Sequence, residues 1–516
     1  MVLAWPKCPP TRVWAAVEAV VIIAATMYVI RGLTRAPSWT VDDAWIVARY
    51  ADNLAEHGRL SWNLDGAPVE GFTSLSSTLV AALASLLHIA PVRALHALGL
   101  VALLLSGGLL FVLGRALRAP PPAAALVAAA HLTMAEHITH ATSGLETEPF
   151  IALGLAVLIA LARALRGPRA SVLPLAILAF VLTMTRPEGA APSVAALAAV
   201  AFSRRKDRAA LRRAARSAAA GFGVPMLVTL ASRYLAYRAL VPNTFFAKHS
   251  DWNAAHLRDL ATITDRHFID LAVVCGACVL VLAVVHGRTP WLPRRERLIA
   301  VVSAFSLAVV ALVYARSEPI MDYAHRFAMH DLPWVEALCL IASTAAVRAL
   351  RRVRAGTALA LGALLGLATA SAVVRGVGEL PNEMTRMAVY DTSTAGLYRP
   401  MVEWILANTA PNATIAVYPD AGIIPYQTKR RAIDFGRLND AYLAREAHFP
   451  EDFVAYFFAR DPDVLVVSQR DTRRLWDEAA EQIVSDRRFQ ERYELVLRRD
   501  APAAGIALML YVRRTR

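Results

Sequence analysis

Through most of this chain, apolar residues do not alternate with polar ones. They run in blocks of about 20 residues, from Val13 to Val374, parted by short polar turns. A block of that length crosses the roughly 30 Å hydrocarbon core of a bilayer as one helix. The pattern therefore predicts a polytopic α-helical membrane protein. The first block, Val13 to Ile30, is longer than the apolar region of a signal peptide and lacks a small-residue cleavage site, so it reads as a helix. Past about Glu379 the pattern changes. Short runs of alternating or β-branched residues, 414–419, 431–435, 463–468, 493–499 and 506–514, predict strands. The stretches 399–409 and 472–486 have helical periodicity. The expected division is a membrane domain, 1–378, and an extramembrane α/β domain, 379–516.

Charge orients the blocks. The chain is 57% hydrophobic and 19% charged, with a formal net charge of +14. The excess lies in five clusters, Arg115/Arg118, Arg163 to Arg169, Arg204 to Arg216, Arg288 to Arg297 and Arg348 to Arg354. Basic residues in short loops mark the cytoplasmic side, so the charge implies no nucleic-acid partner. Between the clusters the blocks pair as 121–140 with 146–166, 171–185 with 189–202, 217–238 with 267–287, and 298–315 with 331–348, followed by 355–375. Parity leaves one crossing between residues 33 and 115 but two apolar runs, 72–90 and 93–115. The longer run is the better span, and 72–90 is expected to lie along the outer surface. This gives about 11 spanning helices, a first external loop over 34–92, and an extracytoplasmic C-terminal domain.

Cysteine and nucleotide chemistry are not indicated. Cys275 and Cys278 form a CxxC inside an apolar helix with no second pair, so they read as small core residues. Cys8 and Cys339 lie in or near membrane segments and imply no disulfide framework. No GxGxxG, Walker A or zinc-ligand spacing occurs.

The polar residues on the expected outer side carry the chemistry. Asp42 and Asp43 open the first loop. Thr40 and Asp43 fit a capping box ahead of a helix to about His57, which gives Asp43 a structural task and leaves Asp42 free. Glu70, Glu146 and Glu148 fall on the same side. Arg186, Lys248, His249, His325 and Arg326 offer cations or donors for a phosphate. Phe245, Phe246, Tyr323 and Phe327 offer apolar or ring surface. An outward-facing acid beside a bilayer suits deprotonation of an acceptor hydroxyl, with a lipid-linked phospho-sugar as donor. The residues alone also allow a secondary transporter, or a scaffold with the C-terminal domain as receptor; no internal repeat supports the transporter.

Six motifs sharpen this. "DDAWIVARYADNLAEHGRLSWNLDGAPVEGFTS", "SGLETEPF", "TRPEG", "VPNTFFAK", "YAHRF" and "PDAGIIPYQTKRRAIDFGRLND" occur in an order that resembles GT-C glycosyltransferases of the mycobacterial terminal β-(1→2)-arabinofuranosyltransferase type. The resemblance implies a GT-C fold, a polyprenyl-phosphate-linked sugar donor, and transfer to a cell-envelope glycan or lipid acceptor at the outer face of a bacterial inner membrane. It implies Asp42 as base, with Asp43, Glu70 and Glu146 lining the site. It also implies that the C-terminal domain helps hold the acceptor, with Trp45, Asp420 and Tyr426 as contacts and Asp434 and Asn439 near the groove. Trp45 stands where tyrosine is usual, and "AHRF" replaces a more usual "GYRF". No set of metal ligands appears; a divalent cation, Mg²⁺ or Mn²⁺, is the one cofactor that several acids beside a phosphate would suit.

Overall fold

The computed structural model describes residues 11–37, 39–119, 123–248, 250–265, 292–317, 322–350, 355–470 and 474–514. His249, the CxxC cysteines, Cys8 and the block 267–287 lie outside these residues.

Apolar blocks fold as helices because a bilayer offers no partner for backbone N–H and C=O groups. The membrane part opens with α1 (Thr11–Arg35), α2 (Asp42–His57), α3 (Leu75–Leu86) and α4 (Pro91–Ala116), then α5 (Ala123–Thr133), α6 (Ala135–Thr142), α7 (Thr147–Ala164), α8 (Leu173–Thr185) and α9 (Ala190–Arg204). Among the described residues, five helices are long and apolar enough to cross a membrane: Ala15–Arg35, Pro91–Ala116, Thr147–Ala164, Arg208–Tyr237 and Arg294–Tyr314. Shorter apolar helices, Leu173–Thr185 and Leu332–Ala345 among them, stand between these. The core is built around the buried side of α7, where Phe150, Leu155, Leu158 and Leu161 meet Trp334 and Leu340.

One helical expectation changes. The block 121–140 is broken, because Met134 takes an extended backbone (φ −65°, ψ 124°) and caps α6. The run 72–90 forms a helix of only 12 residues, about 18 Å long and too short for the hydrocarbon core. Its Ser77, Thr78, Ala81 and Ala82 are buried, while Leu79, Leu83 and Leu86 are exposed. That division suits a helix lying at an interface.

A single helix of 54 residues, Ala355–Asn408, runs through the position where the sequence pattern changes and leads into the sheet. The strands are β1 (Thr414–Tyr418), β2 (Arg431–Asp434), β3 (Val464–Arg470), β4 (Arg474–Leu475), β5 (Tyr493–Ala501) and β6 (Ile506–Arg513). Their order is β2-β1-β3-β6-β5, with β4 paired to β3. β2, β1 and β3 are parallel, with Val417 opposite both Asp434 and Val466. β6 joins β3 antiparallel and β5 joins β6. The expected helix over 472–486 is shorter, Glu478–Ser485, because Asp477 caps it by accepting from the Ala480 N–H (3.0 Å), and β4 occupies the residues before.

Period two assigns the faces. Ile415, Val417, Val464, Val466, Leu508 and Leu510 pack with Tyr398, Met401 and Ile405 of the long helix and with Tyr50, Trp62 and Phe72 of the first loop. Ala416, Tyr418, Leu465, Val467 and Met509 face the helices Pro450–Arg460 and Glu478–Ser485. With both faces covered, β3 reads as an unbroken apolar run. The first loop is thus part of the sheet's core, and the C-terminal ends of β1 and β2 open toward α2.

Candidate active site

α2 carries both acids in its first turn, but the expected capping box is absent. The N-cap is Val41, without a side-chain bond, and the Thr40 hydroxyl pairs with His96 Nε2 at 3.1 Å. The helix starts one residue too late for Thr40 to cap it.

The two acids then part company. Asp42 is 3% exposed. Its carboxylate accepts the N–H of Gly422 (2.7 Å) and of Ile423 (2.8 Å), tying α2 to the loop after β1. Only glycine fits there, since a Cβ on residue 422 would lie 1.9 Å from the Asp42 carbonyl oxygen. Burial, with Asp420 nearby, pushes Asp42 well above the usual carboxylate range, the two N–H bonds pulling the other way. Asp420 is also raised by burial; it accepts from Tyr398 (2.6 Å) and Ser468 (2.9 Å) hydroxyls. The side chain of Asp43 is 20% exposed and meets the Arg326 guanidinium at 3.4 Å.

Behind Asp43 lies a charge chain. Arg326 also reaches Glu146 (3.4 Å), Glu146 pairs with Arg186, and Arg186 pairs with Glu188, which accepts from the Tyr314 hydroxyl. Three cations surround the ring of Phe327: Arg186 at 5.7 Å, Lys248 at 5.8 Å and Arg326 at 5.3 Å from its centroid. Such cation–ring contacts hold charge without using up its hydrogen bonds. Arg326 Nε is buried without a partner. Desolvation pulls the Lys248 ammonium down to about 8, opposed by Asp43 and reinforced by Arg326 and Arg186.

Arg326 is aimed by unusual backbone. Ala324 (φ 47°) and His325 (φ 53°) are both left-handed, a conformation costing roughly 1–2 kcal/mol for a residue with a Cβ. The glycine of the more usual "GYRF" would relieve it at position 324. Ala324→Gly is expected to raise stability by about 0.5–1 kcal/mol after glycine's entropy is deducted, read as a higher thermal unfolding midpoint in detergent.

Two clefts meet here. One, of about 710 Å³, is lined by Asp42, Asp43 and Lys248 on one side and by Tyr418, Asp420, Arg437, Trp476 and Asp477 on the other. It sits beyond the C-terminal ends of the parallel strands, where open sheets expose loop side chains and backbone to ligands. The other, of about 900 Å³, is lined by Arg186, Glu188, Lys248, Val241, Phe245, Val313 and Phe327. Phe245 is 57% exposed at its rim. Lys248 belongs to both.

The structure brings Asp42, Asp43, Glu146, Arg186, Lys248, Arg326 and Asp420 together. Others it places elsewhere. Glu70 pairs with Arg233 (2.9 Å) and lines neither cleft. His325 Nδ1 pairs with Asp259 at 3.1 Å, away from Lys248. Glu148 is buried against His137 at 2.9 Å. Trp45 and Tyr426 pack with centroids 5.0 Å apart and planes tilted by 48°, outside the cleft that holds Asp43. Asp434 accepts the Asn439 N–H and amide, both at 2.8 Å, and Asn439 accepts from the Tyr50 hydroxyl (3.1 Å), which locks the turn after β2. The pattern of the chain did not single out Tyr314, Arg437, Trp476 or Asp477. Arg437 sits inside a quoted motif; the others are brought in by packing alone.

The carboxylates of Asp43 and Glu146 face arginines, and that of Asp42 faces two N–H donors. Among the described residues no group of three or more His, Cys, Asp or Glu is arranged to hold a metal ion.

A family model described as a domain of unknown function (DUF8728) matches residues 385–511. No curated protein matches. Among solved structures the chain is similar to ArnT from Cupriavidus metallidurans bound to undecaprenyl phosphate, with TM-score 0.57 and 13% identity over 97% of this chain and 98% of that one. The apo state of ArnT gives 0.57 and 13% over 96% and 98%. The arabinofuranosyltransferase AftD from mycobacteria gives 0.55 and 14%, over 97% of this chain but only 40% of AftD. These neighbours are GT-C glycosyltransferases, and the chain has the GT-C fold expected from its motifs. At such identity the likeness is one of fold.

Proposed function

We propose that this protein transfers a sugar, with arabinofuranose the first to test, from a polyprenyl phosphate to a cell-envelope glycan or lipid acceptor, at the outer face of a bacterial inner membrane. The observation that carries this reading is the meeting of the two clefts at Lys248. One cleft offers apolar walls and cations, as a prenyl chain and its phosphate require; the other offers a carboxylate among sugar-compatible polar groups. The ArnT neighbour's bound undecaprenyl phosphate supports a lipid-phosphate carrier.

In this reading Asp43 is the base, because it faces the cleft while the oxygens of Asp42 are committed to Gly422 and Ile423. Asp43 takes the acceptor hydroxyl proton as that oxygen attacks the anomeric carbon. The bond from that carbon to the phosphate oxygen breaks, and polyprenyl phosphate leaves with the electron pair. Lys248, Arg326 and Arg186 stabilise the charge that develops. Glu146 holds the two arginines apart and in place.

The test is transfer of labelled arabinofuranose from a synthetic polyprenyl-phospho-sugar by the purified protein in nanodiscs. Incorporation into an oligosaccharide acceptor is expected. Absence of transfer with pentose and hexose donors, together with sugar counterflow in vesicles, would favour a transporter. A second expectation concerns pH. Lys248 binds phosphate in its charged form and loses the proton as pH rises through about 8. The donor KM should therefore rise roughly tenfold between about pH 7 and 9, the worth of one charge-assisted hydrogen bond. In Lys248→Met the donor KM should be high and flat over that range; a wild-type pH profile in this variant would remove Lys248 from the site.

A further inference from the structure

A third cleft, of about 890 Å³, lies on the other side of the first turn of α2. It is lined by Trp45, Tyr390, Asp391, Thr394, Tyr398 and Gln427, among a few others. Residues 390/391, 394 and 398 follow one another at helical spacing and so share one face of the long helix. Trp45 supplies a ring from α2, held by Tyr426, and its indole N–H has no partner.

The lining states what the cleft takes. Hydroxyl, amide, carboxylate and indole groups share it about equally with apolar surface, and Ala395 and Ile423 are its aliphatic members. That is too polar for a prenyl chain or acyl chains. Its one cation, Arg399, is paired with Glu403 at 2.9 Å, so no cationic cluster awaits a phosphate. An aromatic ring beside neutral and acidic hydrogen-bonding groups matches a neutral sugar, which stacks its C–H face on the ring and exchanges hydrogen bonds at its edge.

The cleft is also joined to the reaction site. Tyr398 lines it and donates to Asp420, which lines the cleft of Asp43 (2.6 Å). The Tyr390 hydroxyl accepts the Asp42 backbone N–H at 3.3 Å. A ligand seated here therefore rests against the wall that holds both acids.

We propose that this third cleft is a second carbohydrate subsite, binding residues of an acceptor glycan beyond the sugar that attacks. The proposal rests on the transferase reading, and it makes the acceptor a polymer with neutral sugars. A monosaccharide-bearing lipid would not fill it.

The experiment compares an arabinofuranosyl hexasaccharide with the matching disaccharide, using full-length protein in nanodiscs. Binding is measured by calorimetry and transfer by KM. The hexasaccharide is expected to bind about tenfold tighter, the worth of one aromatic–sugar contact with its hydrogen bonds. Trp45→Ala and, separately, Gln427→Ala should cancel that advantage, with the KM for hexasaccharide rising about tenfold more than that for disaccharide. Thr394→Ala, which removes one surface hydroxyl, guards against misfolding and should narrow the advantage with an unchanged unfolding midpoint. Equal effects on both acceptors, or an equal affinity of the wild type for both, would overturn the subsite. Hexasaccharide binding that the variants weaken, without any transfer by the wild type, would uphold the subsite and defeat the transferase reading alone.

Discussion

Replacing Asp43 with asparagine is expected to cut kcat for transfer by about 10²–10⁴-fold, the usual worth of a positioned general base. The substitution keeps the shape of the side chain. It removes one partner of Arg326, which retains Glu146 at 3.4 Å. Arg326 is buried but keeps Glu146, and the Asp43 side chain is 20% exposed, so the unfolding midpoint should fall less than on breaking a fully buried pair. Loss of a negative charge beside Lys248 and Arg326 should leave the donor KM unchanged or lower it. Asp42→Asn gives the contrasting result. Its side chain accepts two buried N–H groups, and an amide can satisfy only one of them, at a cost of about 1–3 kcal/mol for the other. That variant should lose thermal stability along with activity. Near wild-type turnover in Asp43→Asn would end its assignment as base, and a stable but inactive Asp42→Asn would return the role to Asp42.

The different contacts of these neighbours show where sequence reasoning stops. The pair was visible as two acids after an apolar block. Which of them is tied to backbone N–H groups depended on contacts from residues about 380 positions away, Gly422 and Ile423. A capping pattern is a local signal, and here it lost to a long-range one: His96 holds Thr40, and the helix begins after Val41. The same division runs through the fold. The strands were legible because period two survives on both faces of the sheet, with Ile415 and Val417 on one side and Ala416 and Tyr418 on the other. The run 72–90 could be told from a spanning helix by parity and its hydroxyl-rich start, and its helix has 12 residues. The break at Met134 was not, because no Gly or Pro marks it. The cations were legible as residues in the polar turns between apolar blocks, but not their convergence on Phe327, which needs three separate turns to pack around one ring. Glu70 shows the same long-range effect. It shares the side of the other acids, yet Arg233 claims it.

Glu146→Gln should be the most damaging change to the site that leaves its base untouched. Glu146 is buried at the start of α7, and its carboxylate is shared by Arg186 and Arg326. Removing one partner of a buried ion pair leaves an uncompensated charge and costs about 3–5 kcal/mol. Arg186 keeps Glu188, so the deficit falls mainly on Arg326. Its remaining acid is Asp43, toward which it should be drawn. A tighter guanidinium stabilises the carboxylate and makes it a poorer base. Two losses are then expected together: a lower unfolding midpoint in detergent, and a fall in kcat larger than the rise in donor KM. Glu146→Asp, which keeps the charge on a shorter arm, should recover part of the stability. A charge deletion that left both the midpoint and kcat unchanged would mean that Arg326 is neutralised from elsewhere, and that the chain from Asp43 to Glu188 does not act as one unit.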